Sequence, residues 1–134
     1  MLIPTIHFPG TCEQAIDFYK EAVGADVKTI VCFRDAPPDT GMDLPPNFVM
    51  YSELSIFGTT ISMTDGAKSK GTGDIFTFTV FLDTAEEVTA LFNKLAEDGE
   101  VVEALEPQFW VSLTGYVKDR FGVNWNICTS DARG

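Results

Sequence analysis

The sequence predicts an α+β fold: two βαβββ modules forming a curved mixed sheet, with the helices on its convex side. Three observations predict it. A strand-like run, a capped amphipathic helix ending in glycine and further strand-like runs occupy Ile3 to Asp65. The same order returns from Asp74 to Cys128. Neither copy alone has two layers that could close a core, so the copies are expected to pack together. The expectation is therefore one domain over residues 1–134, with modules at about 1–65 and 74–130.

In the first module, Ile3 to Phe8 reads as a strand stopped by Pro9-Gly10. Thr11 opens a helix with Gln14 three residues on, the spacing of a capping box. Cys12, Ala15, Ile16, Tyr19, Ala22 and Val23 recur at helical spacing, and Gly24 supplies the stop. Val27 to Arg34 is a second strand. Asp35 to Asn47 holds four prolines and a glycine, which makes it a loop. Val49 to Ile56 and Thr60 to Thr64 form a hairpin around Phe57-Gly58-Thr59.

Thr64 to Gly73 reads as a mobile joint between the modules. Ile75 to Leu82 then begins the second module. Its helix is capped by Asp83 or Thr84, each with a glutamate three residues later, and Gly99 ends it. Val88, Leu91, Phe92 and Leu95 form its apolar stripe. Val101 to Ala104, Val111 to Lys118 and Val123 to Cys128 complete the strands, with Asp119 to Gly122 as the last turn.

Composition excludes several classes of partner. Nine basic residues are scattered among twenty acidic ones, for a net charge of −11. Phosphate backbones and anionic membranes need clustered Lys and Arg, so neither nucleic acid nor a membrane is an expected partner. Cys12, Cys32 and Cys128 are odd in number and contain no Cys-x-x-Cys pair, which argues against a disulfide framework and for a cytoplasmic setting. Met1 to Pro4 has no signal-peptide character, and the longest apolar run is too short to span a membrane.

Strand alternation separates two faces. Met50, Ser52, Leu54 and Ile56 oppose Val49, Tyr51, Glu53 and Ser55. Phe76, Phe78, Val80 and Leu82 oppose Ile75, Thr77, Thr79 and Phe81, while Val123, Trp125 and Ile127 oppose Asn124, Asn126 and Cys128. The apolar sets should meet the helices. Tyr51, Glu53, Ser62, Thr77, Thr79, Asn124 and Asn126 should line the concave face, either as a ligand cavity or as a solvated or dimer-contacting surface.

These elements resemble the vicinal-oxygen-chelate superfamily of glyoxalases, bleomycin-resistance proteins and extradiol dioxygenases. The likeness rests on His7-Phe8-Pro9-Gly10, on Cys12 to Tyr19 and on Gly24-Ala25. Val49 to Leu54, Phe109-Trp110 and Val117 to Trp125 look more narrowly like its PhnB-like branch. That branch is often labelled a 3-demethylubiquinone methyltransferase. Transfer from S-adenosylmethionine usually uses a glycine-rich turn between strand and helix. The glycine-rich stretch Gly66 to Gly73 instead precedes a strand.

The resemblance implies a divalent metal held by His, Gln or Glu from four strands. The matching slots here fall on Pro4, Ser62, Thr77 and Asn126, which are poor ligands or none. No metal or other cofactor is expected. His7, the only histidine, is placed on the strand face opposite the Pro4 slot. Where the branch commonly has a histidine, this chain has Tyr51.

Glu53 is the candidate catalytic residue, as a general base or as the acceptor for a ligand hydroxyl or amine. The other reading pairs it with Arg34, Lys118 or Arg120. Tyr51, Glu53, Thr77, Trp110 and Asn126 are the candidate ligand-binding residues, with Trp110 near the cavity mouth. Cys128 lacks a second histidine to activate it. Two functions follow: a metal-free binding protein for an unidentified small molecule, or a lyase, dioxygenase or transferase-type enzyme using Glu53 or an atypical metal site. A homodimer is expected, since curved half-sheets leave edges that need partners.

Overall fold

The computed structural model describes residues 1–35, 44–66, 73 and 75–133. Much of the expected loop and joint, at 36–43 and 67–72, lies outside the described residues. The chain divides into two compact units, Met1–Gly71 and Thr72–Gly134. The first holds β1 (Thr5–Phe8), α1 (Cys12–Ala22), β2 (Asp26–Cys32), β3 (Val49–Ile56) and β4 (Thr59–Asp65). The second holds β5 (Phe78–Leu82), α2 (Ala85–Ala96), β6 (Glu100–Gln108), β7 (Val111–Lys118) and β8 (Asn124–Thr129). Each unit has the expected βαβββ order.

The two sheets share one plan. Strand order is β1-β4-β3-β2 in the first and β5-β8-β7-β6 in the second, each with one parallel pair and two antiparallel ones. A parallel neighbour needs a crossover, and each helix supplies it.

In the first unit Cys12, Ala15, Ile16, Tyr19 and Ala22 of α1 are buried, as are Phe8, Leu54, Ile56, Ile61 and Met63 of the sheet. These alternate strand positions form the helix-packed face. The helix does not start as its sequence suggests. Thr11 makes no side-chain cap bond. The buried Asp65 carboxylate does the work from the end of β4, accepting from Gly10 N and Cys12 N at 2.9 Å and from Val49 N at 2.8 Å. The β3–β4 turn is tighter than expected, with Phe57 (φ 48°) and Gly58 (φ 80°) as its two central residues. Two successive positive φ angles match the twist of the flanking strands.

In the second unit Thr84 and Glu87 form a full capping box. Val88, Leu91, Phe92 and Leu95 are buried against the sheet. A Cβ on Gly115 would lie 2.5 Å from the Phe92 ring, so glycine lets α2 settle closely on β7. After α2 the left-handed position is Asp98 (φ 57°), not Gly99. Gly99 is there because a Cβ would sit 2.4 Å from the Lys118 carbonyl.

The limits of β5 and β6 differ most from expectation. β5 starts at Phe78, since Ile75 and Phe76 are exposed and carry no ladder. β6 runs on through Pro107 to Gln108, because an outer strand tolerates a missing donor on its free side. Phe109 and Trp110 are consequently the two-residue turn between β6 and β7.

Asp65→Ala should lower unfolding stability by about 2–4 kcal/mol, since three N–H donors, two of them buried, lose their acceptor at once. Urea denaturation followed by circular dichroism would measure it, and a loss below about 1 kcal/mol would show that the clamp is dispensable.

Candidate functional site

The ladder registers place one row of side chains across each sheet, on the face away from the helix. In the first sheet Thr5 pairs with Ser62, Ser62 with Glu53, and Glu53 with Thr29. In the second, Thr79 pairs with Asn126, Asn126 with Tyr116, and Tyr116 with Glu103. Residues opposite each other point to the same side. Their strand neighbours Leu54, Ile61, Trp125 and Val117 are buried. The rows occupy equivalent positions, so Glu53 in one unit corresponds to Tyr116 in the other, and Ser62 to Asn126.

Around the first row, Tyr51 lies two residues from Glu53 on the same strand face. Hydrogen bonding to the Glu53 carboxylate, then desolvation and that carboxylate's charge, raises the Tyr51 pKa above the ordinary tyrosine value. Tyr51 is thus a phenol donor across the neutral range. Glu53 is half-buried. Two of the three cations proposed for it pair with other carboxylates: Arg34 with Glu13, and Arg120 with Glu97 and Asp98, all at 3.7 Å. Among the described residues Glu53 has no salt bridge.

His7 requires a correction. It pairs with Thr64 and its Nδ1 is 2.9 Å from the Thr64 hydroxyl, so it shares the face of Ser62 and Glu53. Pro4 has the opposite parity and falls with Phe8 on the helix side. The residue of β1 level with Ser62 is therefore Thr5. The same register puts Thr79, not Thr77, level with Asn126.

In the second unit Thr77 and Tyr116 are hydrogen-bonded at 2.7 Å between hydroxyls. Asn126 Oδ1 accepts from Thr114 Oγ1 at 3.1 Å and from Cys128 Sγ at 3.6 Å. Asn124 is buried, and its amide donates to the carbonyls of Gly73 and Phe76 at 2.9 Å, holding the segment that leads into Thr77.

Of the five expected ligand-binding residues, Tyr51 and Glu53 come together in the first unit, and Thr77 and Asn126 join one cluster through Tyr116 in the second. Trp110 does not join it. It sits 45% exposed in the β6–β7 turn, six residues from Tyr116, which is about 20 Å along a strand. Tyr116, Thr114 and Thr5 were missed. The signal for the first two was present: the alternation of Val111 to Lys118, registered against Val123 to Cys128, puts Thr114 and Tyr116 on the Asn126 side.

Comparison with known proteins extends this geometry. A family described as 3-demethylubiquinone-9 3-methyltransferase matches residues 1–128. Protein YjdN of Escherichia coli (strain K12) is 31% identical over 137 residues, spanning 94% of this chain and 92% of that protein. Protein PA1353 from Pseudomonas aeruginosa is 27% identical over 96% of both chains, with a TM-score of 0.83. A PhnB protein from Bacillus cereus, named as a putative 3-demethylubiquinone-9 3-methyltransferase, gives a TM-score of 0.82 at 20% identity, over 96% and 98% of the two chains. The fosfomycin resistance protein FosX from Listeria monocytogenes gives 0.69 at 12% identity, over 100% and 97%. The last two show the fold alone. The chain belongs to the family described as 3-demethylubiquinone-9 3-methyltransferase.

Proposed function

We propose that this protein binds a small molecule on the helix-free face of its first sheet, without the superfamily's generic metal site. The observation that carries this reading is the Tyr51–Glu53 pair. A half-buried carboxylate with no cationic partner among the described residues keeps lone pairs available for a ligand donor. Tyr51 orients that carboxylate and presents an aromatic edge beside it. The ligand is accordingly partly apolar and carries an amine or hydroxyl.

The residues level with one another on the two sheets, Thr5 and Ser62, Thr79 and Asn126, offer hydroxyls and an amide. Such neutral oxygens do not fit zinc, iron or manganese, which favour imidazole, thiolate or carboxylate. Among the described residues, no group of three His, Cys, Asp or Glu converges. Methyl transfer gains no support from the strand–helix junctions: β1 reaches α1 through Pro9-Gly10-Thr11, and β5 reaches α2 through Asp83-Thr84. No described helix is long and apolar enough to cross a membrane.

A second reading makes the same carboxylate a general base for a bound substrate. It rests on the same observation, with Tyr51 as the hydrogen-bond donor that steadies Glu53.

The protein purified and mildly chelated should carry no stoichiometric transition metal, and elemental analysis finding about one zinc, iron, nickel or manganese per chain would overturn that part of the proposal. Each sheet ends in outer strands, β1 and β2 or β5 and β6, which supports a homodimer. Sedimentation at micromolar concentration should then return twice the mass of 14.7 kDa, and the monomer mass would refute pairing. With benzylamine as probe, Glu53→Gln should weaken binding by about 1–3 kcal/mol in calorimetry while the melting temperature holds. A lowered melting temperature with unchanged binding would make Glu53 structural.

A further inference from the structure

We propose that the row Thr79–Asn126–Tyr116 of the second sheet is a binding site for an uncharged carbonyl oxygen, such as that of a carboxamide. The inference does not depend on the Tyr51–Glu53 reading, because every group it uses lies in the second unit.

The orientation of one amide defines the site. Asn126 Oδ1 takes the Thr114 hydroxyl at 3.1 Å and the Cys128 thiol at 3.6 Å. Thr114 also lies 3.1 Å from Cys128 Sγ, so the three side chains close a small network on one side of Asn126. Thr114 and Cys128 are buried. With its oxygen facing the hydroxyl and thiol, which share two protons among the three contacts, Asn126 turns its Nδ2 the other way. That nitrogen makes no hydrogen bond among the described residues, and Asn126 is half-buried. An amide fixed by its neighbours and left with two donors facing a sheet surface is prepared for an acceptor.

The neighbours specify which acceptor. Tyr116 stands directly opposite Asn126 on β7, and Thr79 directly opposite on β5. The Tyr116 hydroxyl is shared with Thr77 at 2.7 Å, so one of the two hydroxyl protons remains for a ligand. Thr79 adds a third hydroxyl, able to accept from an amide N–H. Phe81, next on the same face opposite Cys128, is 37% exposed and supplies an apolar surface.

The charges oppose an anion. Lys118 lies on this face, but Glu100 is its cross-strand partner and Glu103 is that of Tyr116. Two carboxylates against one ammonium, in a chain of net charge −11, disfavour a carboxylate ligand. A neutral carbonyl meets the donors without that repulsion. The equivalent position in the first unit is Glu53, an acceptor, so the duplicated frame presents groups of opposite hydrogen-bonding sense.

The test uses two one-ring probes, benzamide and benzoate. In amide-correlation spectra of the full chain, benzamide should move the Asn126 side-chain resonances, and benzoate should bind more weakly. Asn126→Asp keeps an acceptor for Thr114 and Cys128 while exchanging both N–H donors for an oxygen, and should weaken benzamide at least about tenfold. Tyr116→Phe should weaken it about threefold, since a shared hydroxyl is lost. Benzamide affinity within about twofold of wild type in Asn126→Asp would overturn the proposal. Unmoved Asn126 amide resonances in the wild-type chain would do so without any variant. Benzoate binding more tightly than benzamide would overturn the choice of an uncharged group.

Discussion

One carboxylate holds the first unit together. Asp65, at the end of β4, accepts backbone donors from the start of α1 and the start of β3. The helix brings no side-chain cap of its own, so its first turn depends on a residue 53 positions away. Burying such a group is costly unless its lone pairs are filled, and here three N–H groups fill them. By anchoring the start of α1, Asp65 helps to seat the helix on one face of the sheet. Thr5, Ser62, Glu53 and Tyr51 lie on the other, helix-free face. The second unit reaches the same arrangement by local means, with a capping box at Thr84 and the close seat of Phe92 over Gly115.

The parts legible in the sequence were those set by short-range pattern. β3 runs from Val49 to Ile56 as its alternation indicates, and Leu54 and Glu53 fall on opposite faces as period two requires. The Thr84–Glu87 cap was readable because both partners lie within one turn. The Asp65 clamp was not, since no local signal links residues 53 positions apart. The strand expected at Val101 to Ala104 runs on to Gln108, because β6 is an outer strand and tolerates the donor that Pro107 lacks. The site was legible in kind and shifted in register. Helix-based counting put the β1 slot on Pro4, whereas the ladder sets Thr5 against Ser62 and brings His7 to the same side. Counting along one segment cannot see the parity that a partner strand imposes.

The two rows show how a repeated frame can carry different chemistry. Ser62 corresponds to Asn126, Glu53 to Tyr116, His7 to Phe81 and Thr64 to Cys128. Backbone, strand order and helix position are common to both units. What differs is whether each face offers acceptors or donors, and these are side-chain choices that leave the ladder untouched. Family membership therefore describes the frame, while function is decided at a handful of face positions.

Asp119 reverses the logic of Asp65. Its Oδ1 accepts from Phe121 N at 2.9 Å and Val123 N at 3.1 Å, and its Oδ2 takes the Trp125 indole at 2.9 Å. Both carboxylates are buried, but the donors of Asp65 lie up to 55 residues away, whereas these three donors of Asp119 lie only 2 to 6 residues away. Loop-closure entropy rises with the logarithm of length, so the longer closure costs about 2 kcal/mol more. The units are thus unequal in the order of assembly. The β7–β8 corner orders its chain before any distant contact exists, while the start of α1 must wait until β4 has arrived. During synthesis the first half leaves the ribosome early, yet its helix stays without a cap until residue 65 has emerged.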